Sequence, residues 1–163
     1  MNHLTKGAQF FRSKTPTGFT ILELMVVVTI MATLFAIATP ATVEQLRERG
    51  VHNAADQLAM DLQRAKLLAI ERNADCSMTI NSPDANQYTI SIANEVIDLA
   101  GYMGTVVFTN SPDPSDTAVT FNSEGICQAT RVFFLTNQKR RFRVRVTVAG
   151  GISVHEFVGG NWV

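Results

Sequence analysis

Glu23 occupies the position in this chain that most needs a chemical reason. From Leu24 to Val43 no residue is charged, a run of 20 residues. As helix that run is about 30 Å long, the thickness of a bilayer's hydrocarbon core. A carboxylate at the head of such a run is costly unless a cation or a helix terminus meets it. The second charged feature is Lys139-Arg140-Arg141-Phe142-Arg143-Val144-Arg145, the one dense basic run after residue 18. In a strand, Arg141, Arg143 and Arg145 share one face, while Phe142, Val144, Val146 and Val148 turn to the core. Successive guanidiniums then stand roughly 6.6–6.8 Å apart, close to the ~7 Å or less between phosphates along a nucleic-acid strand. Such a ladder could grip a DNA backbone without reading its sequence, pair with acids of another protein or of its own surface, or remain a solvated face that discourages edge pairing.

Catalytic chemistry finds little support. His52 and His155 are the histidines beyond residue 18, and His155 and Glu156, as neighbours in a strand, point to opposite faces and make a poor dyad. Ser77, Ser91 and Ser153 have no adjacent base, and no nucleophile-elbow, zinc-protease, Walker-type or dinucleotide motif occurs. Two isolated cysteines, Cys76 and Cys127, lack C-x-x-C spacing and cannot complete a four-ligand zinc site. In an oxidising compartment the default for such a pair is a disulfide, with a loop-closure contribution of about 4 kcal/mol; two buried free thiols are the alternative. We therefore expect no catalytic residues, no metal and no cofactor.

The elements that must position these residues can be read from charge and periodicity. The formal net charge is zero, but residues 1–18 contain Lys6, Arg12 and Lys14 and no acid, so the remainder holds 11 basic and 14 acidic residues, a net of −3. That balance is no bulk nucleic-acid-binding composition. Positive charge before an apolar segment places the N-terminus in the cytoplasm and exports the C-terminal part of the chain. After Pro40, which should kink a helix, Ala54, Leu58, Leu62, Ala65 and Ala69 recur at steps of three and four as one apolar stripe. Gly50 is a weak point in that stretch. Asn73-Ala74-Asp75 ends the helix. Strands are expected at Cys76–Asn81, Gln87–Ala93, Val96–Leu99, Thr105–Thr109, Ala118–Asn122, Arg131–Thr136, Arg141–Ala149 and Ile152–Phe157, with Gly150-Gly151 as a tight hairpin turn. The fold class is α+β: one long N-terminal helix, apolar then amphipathic, packed on antiparallel sheet.

The stretch Gly18-Phe19-Thr20-Ile21-Leu22-Glu23 after a basic leader resembles the type IV prepilin N-terminus. The resemblance implies cleavage between Gly18 and Phe19, N-methylation of Phe19, Glu23 as the fifth mature residue and Pro40 as the twenty-second. Residues 1–18 would be the leader, 19–43 the membrane-spanning and assembly half of the helix, and 44–163 a periplasmic domain. Further on, Arg64-Ala65-Lys66-Leu67-Leu68-Ala69-Ile70-Glu71-Arg72 before a Cys76 strand, the segment Thr120–Cys127 with its F-x-x-x-G, and the hairpin 144–157 resemble the GspH/FimT family of minor pilins and pseudopilins. The family implies a filament subunit of a type II secretion pseudopilus or type IV pilus, single-pass in the bacterial inner membrane. Its partners would be other pilin-like subunits, the prepilin peptidase, the inner-membrane assembly platform and, before assembly, lipid. Glu23 would pair with the N-terminal amine of a neighbouring subunit. DNA-uptake members carry G-R-x-R in the last hairpin, where this chain has Gly150-Gly151-Ile152-Ser153, so a DNA partner is kept as an alternative and not favoured. A third reading is an anchored periplasmic protein unrelated to filaments; the alternative for the segment itself is a secretory signal cleaved after Ala36-Ile37-Ala38.

Overall fold

The computed structural model describes residues 18–102, 106–109, 117–137 and 139–163, without the side chains of residues 38–42 and 44. Leader residues 1–17, the start of the strand expected at Thr105 and the turn over 111–116 lie outside the described residues, as does the side chain of Pro40, where a kink is expected. The chain divides between Thr39 and Pro40 into two compact units.

One helix, α1, runs over Ile21–Arg72. Its start is written locally as Thr20-x-x-Glu23: the Thr20 hydroxyl oxygen accepts the Glu23 N–H at 3.2 Å, satisfying one of the helix's orphan donors. Its end is set by Asn73, at φ 49°, where the left-handed turn lets the Ala74 N–H reach the Ala69 carbonyl at 3.1 Å. In the first unit the described side chains of α1, Ile21 to Ile37, are all exposed. Among the described residues no helix is long and apolar enough to cross a membrane.

In the second unit α1 buries a stripe of Val51, Ala54, Ala55, Leu58, Ala59, Leu62, Ala65 and Ala69. The five alanines keep the helix close to what it packs on, and Leu58 and Leu62, fully buried, contribute about 1.5–3 kcal/mol each. The helix continues through Gly50, which is buried.

Among the described residues, nine strands form two antiparallel sheets. They are β1 (Cys76–Ile80), β2 (Gln87–Ile90), β3 (Glu95–Asp98), β4 (Val107–Thr109), β5 (Ala118–Phe121), β6 (Arg131–Thr136), β7 (Arg141–Val146), β8 (Ile152–Val158) and β9 (Asn161–Trp162). The orders are β3-β2-β1-β5 and β4-β6-β7-β8-β9. Alternating burial turns Cys76, Met78 and Ile80, Tyr88 and Ile90, and Phe142, Val144 and Val146 into the same core as the helix stripe. Leu99, expected to end a strand, instead begins a short 3-10 turn. The Asp98 carboxylate accepts the Ala100 N–H at 2.7 Å there, and the turn drops Leu99 into the core.

The last long hairpin departs from expectation. Strand β7 stops at Val146, and Thr147 to Gly151 form the loop between the partners Val146 and Ile152. The Gly150 N–H bonds the Thr147 carbonyl and the Thr147 N–H bonds the Gly151 carbonyl, both at 2.8 Å, with Gly150 at φ 72°. This is a turn followed by a left-handed glycine, a loop type that adds a bulge and breaks the alternation. Val148, expected in the core, is therefore exposed, and its carbonyl accepts the Cys127 N–H at 2.9 Å.

A charged group sits inside the core. Asp61 is 6% exposed on the sheet-facing side of α1, where it accepts the Tyr88 hydroxyl at 2.6 Å and the Gln57 amide at 3.1 Å. Burial first, and then the Asp61 carboxylate, push the Tyr88 hydroxyl well above its ordinary 10.0. Folding therefore holds a proton that the unfolded chain releases, so this contribution is complete below pH 10 and is lost as pH rises beyond it. Thermal unfolding of the detergent-solubilised chain should show a midpoint falling more steeply above pH 10 than in Tyr88→Phe. The Asp61→Ala variant should lose about 1.5–3 kcal/mol at neutral pH, the range for a hydrogen bond to a charged group. Identical alkaline profiles for the two tyrosine forms would contradict the coupling.

Candidate functional site

The N-terminal candidates lie together on the start of α1. Gly18 and Phe19 precede the helix, with Phe19 79% exposed, and Glu23 is the acid of the first turn. The capping geometry explains half of Glu23: its backbone is held by Thr20, and its charge sits at the positive end of the helix dipole. The carboxylate oxygens have no described partner of opposite charge within the chain, so the helix leaves them available.

The arginine candidates are brought to one face of the five-stranded sheet. Strand β7 buries Phe142, Val144 and Val146 and presents Arg141, Arg143 and Arg145 on the other side. Across the ladders Arg143 faces Phe134 on β6 and His155 on β8, and Arg145 faces Ser153. Two of the guanidiniums lie on aromatic rings: Arg141 over Phe157 at 4.1 Å and Arg143 over Trp162 at 4.9 Å, measured to the ring centroids. Only Arg145 is exposed. Trp162 is fixed in turn by Phe134 at 5.6 Å and Phe157 at 5.1 Å.

Sequence reasoning did not find Phe157 and Trp162 as parts of this face. The signal was Gly159-Gly160: both take positive φ, 60° and 92°, the two-residue turn that folds β9 back on β8. His155 sits among these cations, and burial first, then Arg143 and Arg145, push its imidazole below its ordinary value.

The cysteines do not pair. Cys76 and Cys127 are buried free thiols, which corrects the expected disulfide. The reason is the strand between them: Phe121 pairs with Cys76 on one side and bridges to Cys127 on the other. Two strand spacings put the cysteine backbones about 10 Å apart, beyond the ~7 Å a disulfide can span. Burial pushes the Cys127 thiol up, which keeps it protonated and inert.

Among the described residues neither His52 nor His155 meets a nucleophile. His52 pairs with Asp56 at 3.4 Å on the exposed helix surface and lies 5.3 Å from the Phe142 ring. Ser77 and Ser91 are used by the sheet, the Ser77 hydroxyl bonding Thr120 at 2.8 Å and the Ser91 oxygen accepting the Ser77 N–H at 2.9 Å. Among the described residues no group of three His, Cys, Asp or Glu side chains could hold a metal ion.

Comparisons with known proteins agree with this layout. A profile of the prokaryotic N-terminal methylation motif matches residues 14–39, and one of the type II transport protein GspH matches residues 54–150. Comparison with curated proteins finds no match. Among solved structures, the type IV minor pilin FimU of Pseudomonas aeruginosa in one crystal form superposes with a TM-score of 0.53 at 16% identity, over 66% of this chain and 89% of that one. In a second crystal form the values are 0.49 and 19%, over 63% and 90%. At such identity the FimU likeness is one of fold: a helix packed on antiparallel sheets. A methylation motif leading into a GspH domain makes this chain a minor pilin or pseudopilin subunit, and the chain belongs to the GspH family of type II transport proteins.

Proposed function

We propose that the chain is a structural subunit of a type II secretion pseudopilus or type IV pilus and is itself the substrate of an enzyme, the prepilin peptidase. The single observation that carries this reading is the methylation motif over residues 14–39 in the same chain as the GspH domain over 54–150. Residues 1–18 are removed as leader, residues 19–43 hold the chain in the inner membrane, and residues 44–163 stand in the periplasm. The sequence supports this through its basic leader and its uncharged run from Leu24 to Val43. Cleavage after Gly18 creates a cation at the Phe19 amine, and methylation there keeps the charge. The assembly platform then withdraws residues 19–43 from lipid into the packed helices of other pilin-like subunits. Between apolar helices in lipid there is little hydrophobic driving force, so packing at Ala32, Ala36 and Ala38 and the charge of Glu23 have to direct the step.

Mass spectrometry of the chain from cells that contain the peptidase tests the reading. The expected N-terminus is N-methylated Phe19. A start at Met1 would remove the processing step, and a start after Ala38 would make residues 19–38 a signal peptide.

A further inference from the structure

The outer face of the five-stranded sheet carries positive charge that no acid among the described residues neutralises. From Phe19 on, the sequence has 14 acidic residues against 11 basic ones, yet no ion pair among the described residues involves Arg141, Arg143 or Arg145. The neighbouring Arg140, by contrast, takes two carboxylates, Glu48 at 3.3 Å and Glu156 at 3.2 Å. Two of these guanidiniums are also held in place. Arg141 and Arg143 lie over the rings of Phe157 and Trp162, so their rotamer freedom is already reduced before any partner arrives. Beside them Arg143 Nε and His155 Nδ1 are sealed from solvent with no hydrogen-bond partner.

Building on the reading of the chain as a filament subunit, we propose that this face, centred on Arg143, Arg145 and Trp162, docks a carboxylate-bearing surface of a neighbouring pilin-like subunit. Charge complementarity identifies the occupant as anionic, and two further observations favour protein over nucleic acid. A net charge of −3 from Phe19 on repels a polyanion at long range, whereas a few carboxylates on one partner are met locally. The guanidiniums of Arg141 and Arg143 also lie back against aromatic rings and do not stand out to follow a phosphate chain. Preordered arginine against tryptophan is the composition of the few residues that dominate protein–protein contacts.

The test uses the full-length chain in the cells that assemble it, with a photocrosslinking residue in place of Ser153, which faces Arg145 across the ladder. The expected product joins a second pilin-like subunit through a peptide containing Asp or Glu, identified by mass spectrometry. In Arg143→Ala and in the fold-neutral Arg145→Glu, which reverses an exposed charge, the product should fall by more than about tenfold. Emission from Trp162, the single tryptophan, reports whether each variant keeps the face intact. A nuclease-sensitive product, or a salt-sensitive change in Trp162 emission on adding duplex DNA to the detergent-solubilised chain, would overturn the proposal in favour of nucleic acid. No product from a chain that still enters filaments would overturn it while leaving the subunit reading intact. Absence of the unsubstituted chain from filaments would overturn both.

Discussion

Replacing Glu23 with valine is expected to remove the chain from assembled filaments while leaving its cleavage and folding intact. The magnitude separates the two roles open to this carboxylate. As an acid in the first helical turn it contributes about 0.3–1 kcal/mol through the dipole, too little to decide assembly. As the partner of an N-terminal amine between packed apolar helices it removes an uncompensated buried charge, and breaking such a pair costs about 3–5 kcal/mol. That difference is a factor of roughly 30 to 3,000 in occupancy. The control is Thr20→Ala, which deletes the hydroxyl that accepts the Glu23 N–H and costs about 1 kcal/mol of helix start without touching the charge. Shearing filaments from cells and probing for the chain should find Thr20→Ala at near-normal levels and Glu23→Val close to absent. Equal recovery of both would reduce Glu23 to a capping residue.

What was legible in the sequence, and what was not, divides along physical lines. The amphipathic helix could be read because its signal is a repeated period. Ala54, Leu58, Leu62, Ala65 and Ala69 all proved fully buried. Asp61 escaped the same reading because a carboxylate within the sheet-facing side contradicts the pattern, and its reason is the Tyr88 hydroxyl, which arrives from 27 residues away. The arginine face was legible from alternation alone, since Arg141, Arg143 and Arg145 are two residues apart. What the guanidiniums rest on was not. Trp162 reaches Arg143 only because Gly159-Gly160 reverses the chain, and a two-residue strand is too short for a periodic signal. The cysteine pairing failed for a topological reason. Sequence separation says nothing about whether another strand lies between two residues, and here Phe121 does. The end of β7 was misread because Thr147, Val148 and Ala149 continue the strand's composition while the hydrogen bonds of Thr147 have already closed the loop.

That loop is also where a single methyl group should do most damage. Gly150 sits at φ 72°, and a Cβ built on it would lie 2.2 Å from the Gly125 carbonyl oxygen, with the Lys66 amine at 2.9 Å. Gly125 is itself left-handed at φ 74° and closes the turn after β5, so neither backbone has a side chain to move out of the way. The Lys66 ammonium donates to the Gly150 carbonyl at 3.0 Å, tying α1 to the same junction. Gly150→Ala therefore combines a left-handed penalty of about 1–2 kcal/mol with the separation of two backbone segments, for a total expected above about 3 kcal/mol. Against a domain stability of about 5–15 kcal/mol that is a large share of the margin. Two comparisons isolate the causes. Gly159→Ala, at φ 60° with nothing within 4 Å, should cost only the left-handed penalty, and Gly101→Ala, with open space and no positive φ, should be nearly neutral. Denaturant unfolding of the three solubilised variants should give that order, with Gly150→Ala also losing the Trp162 environment first, because β8, which leads into the turn of Trp162, starts at this junction. A Gly150→Ala midpoint equal to that of Gly159→Ala would show that the close approach of Gly125 relaxes at no cost.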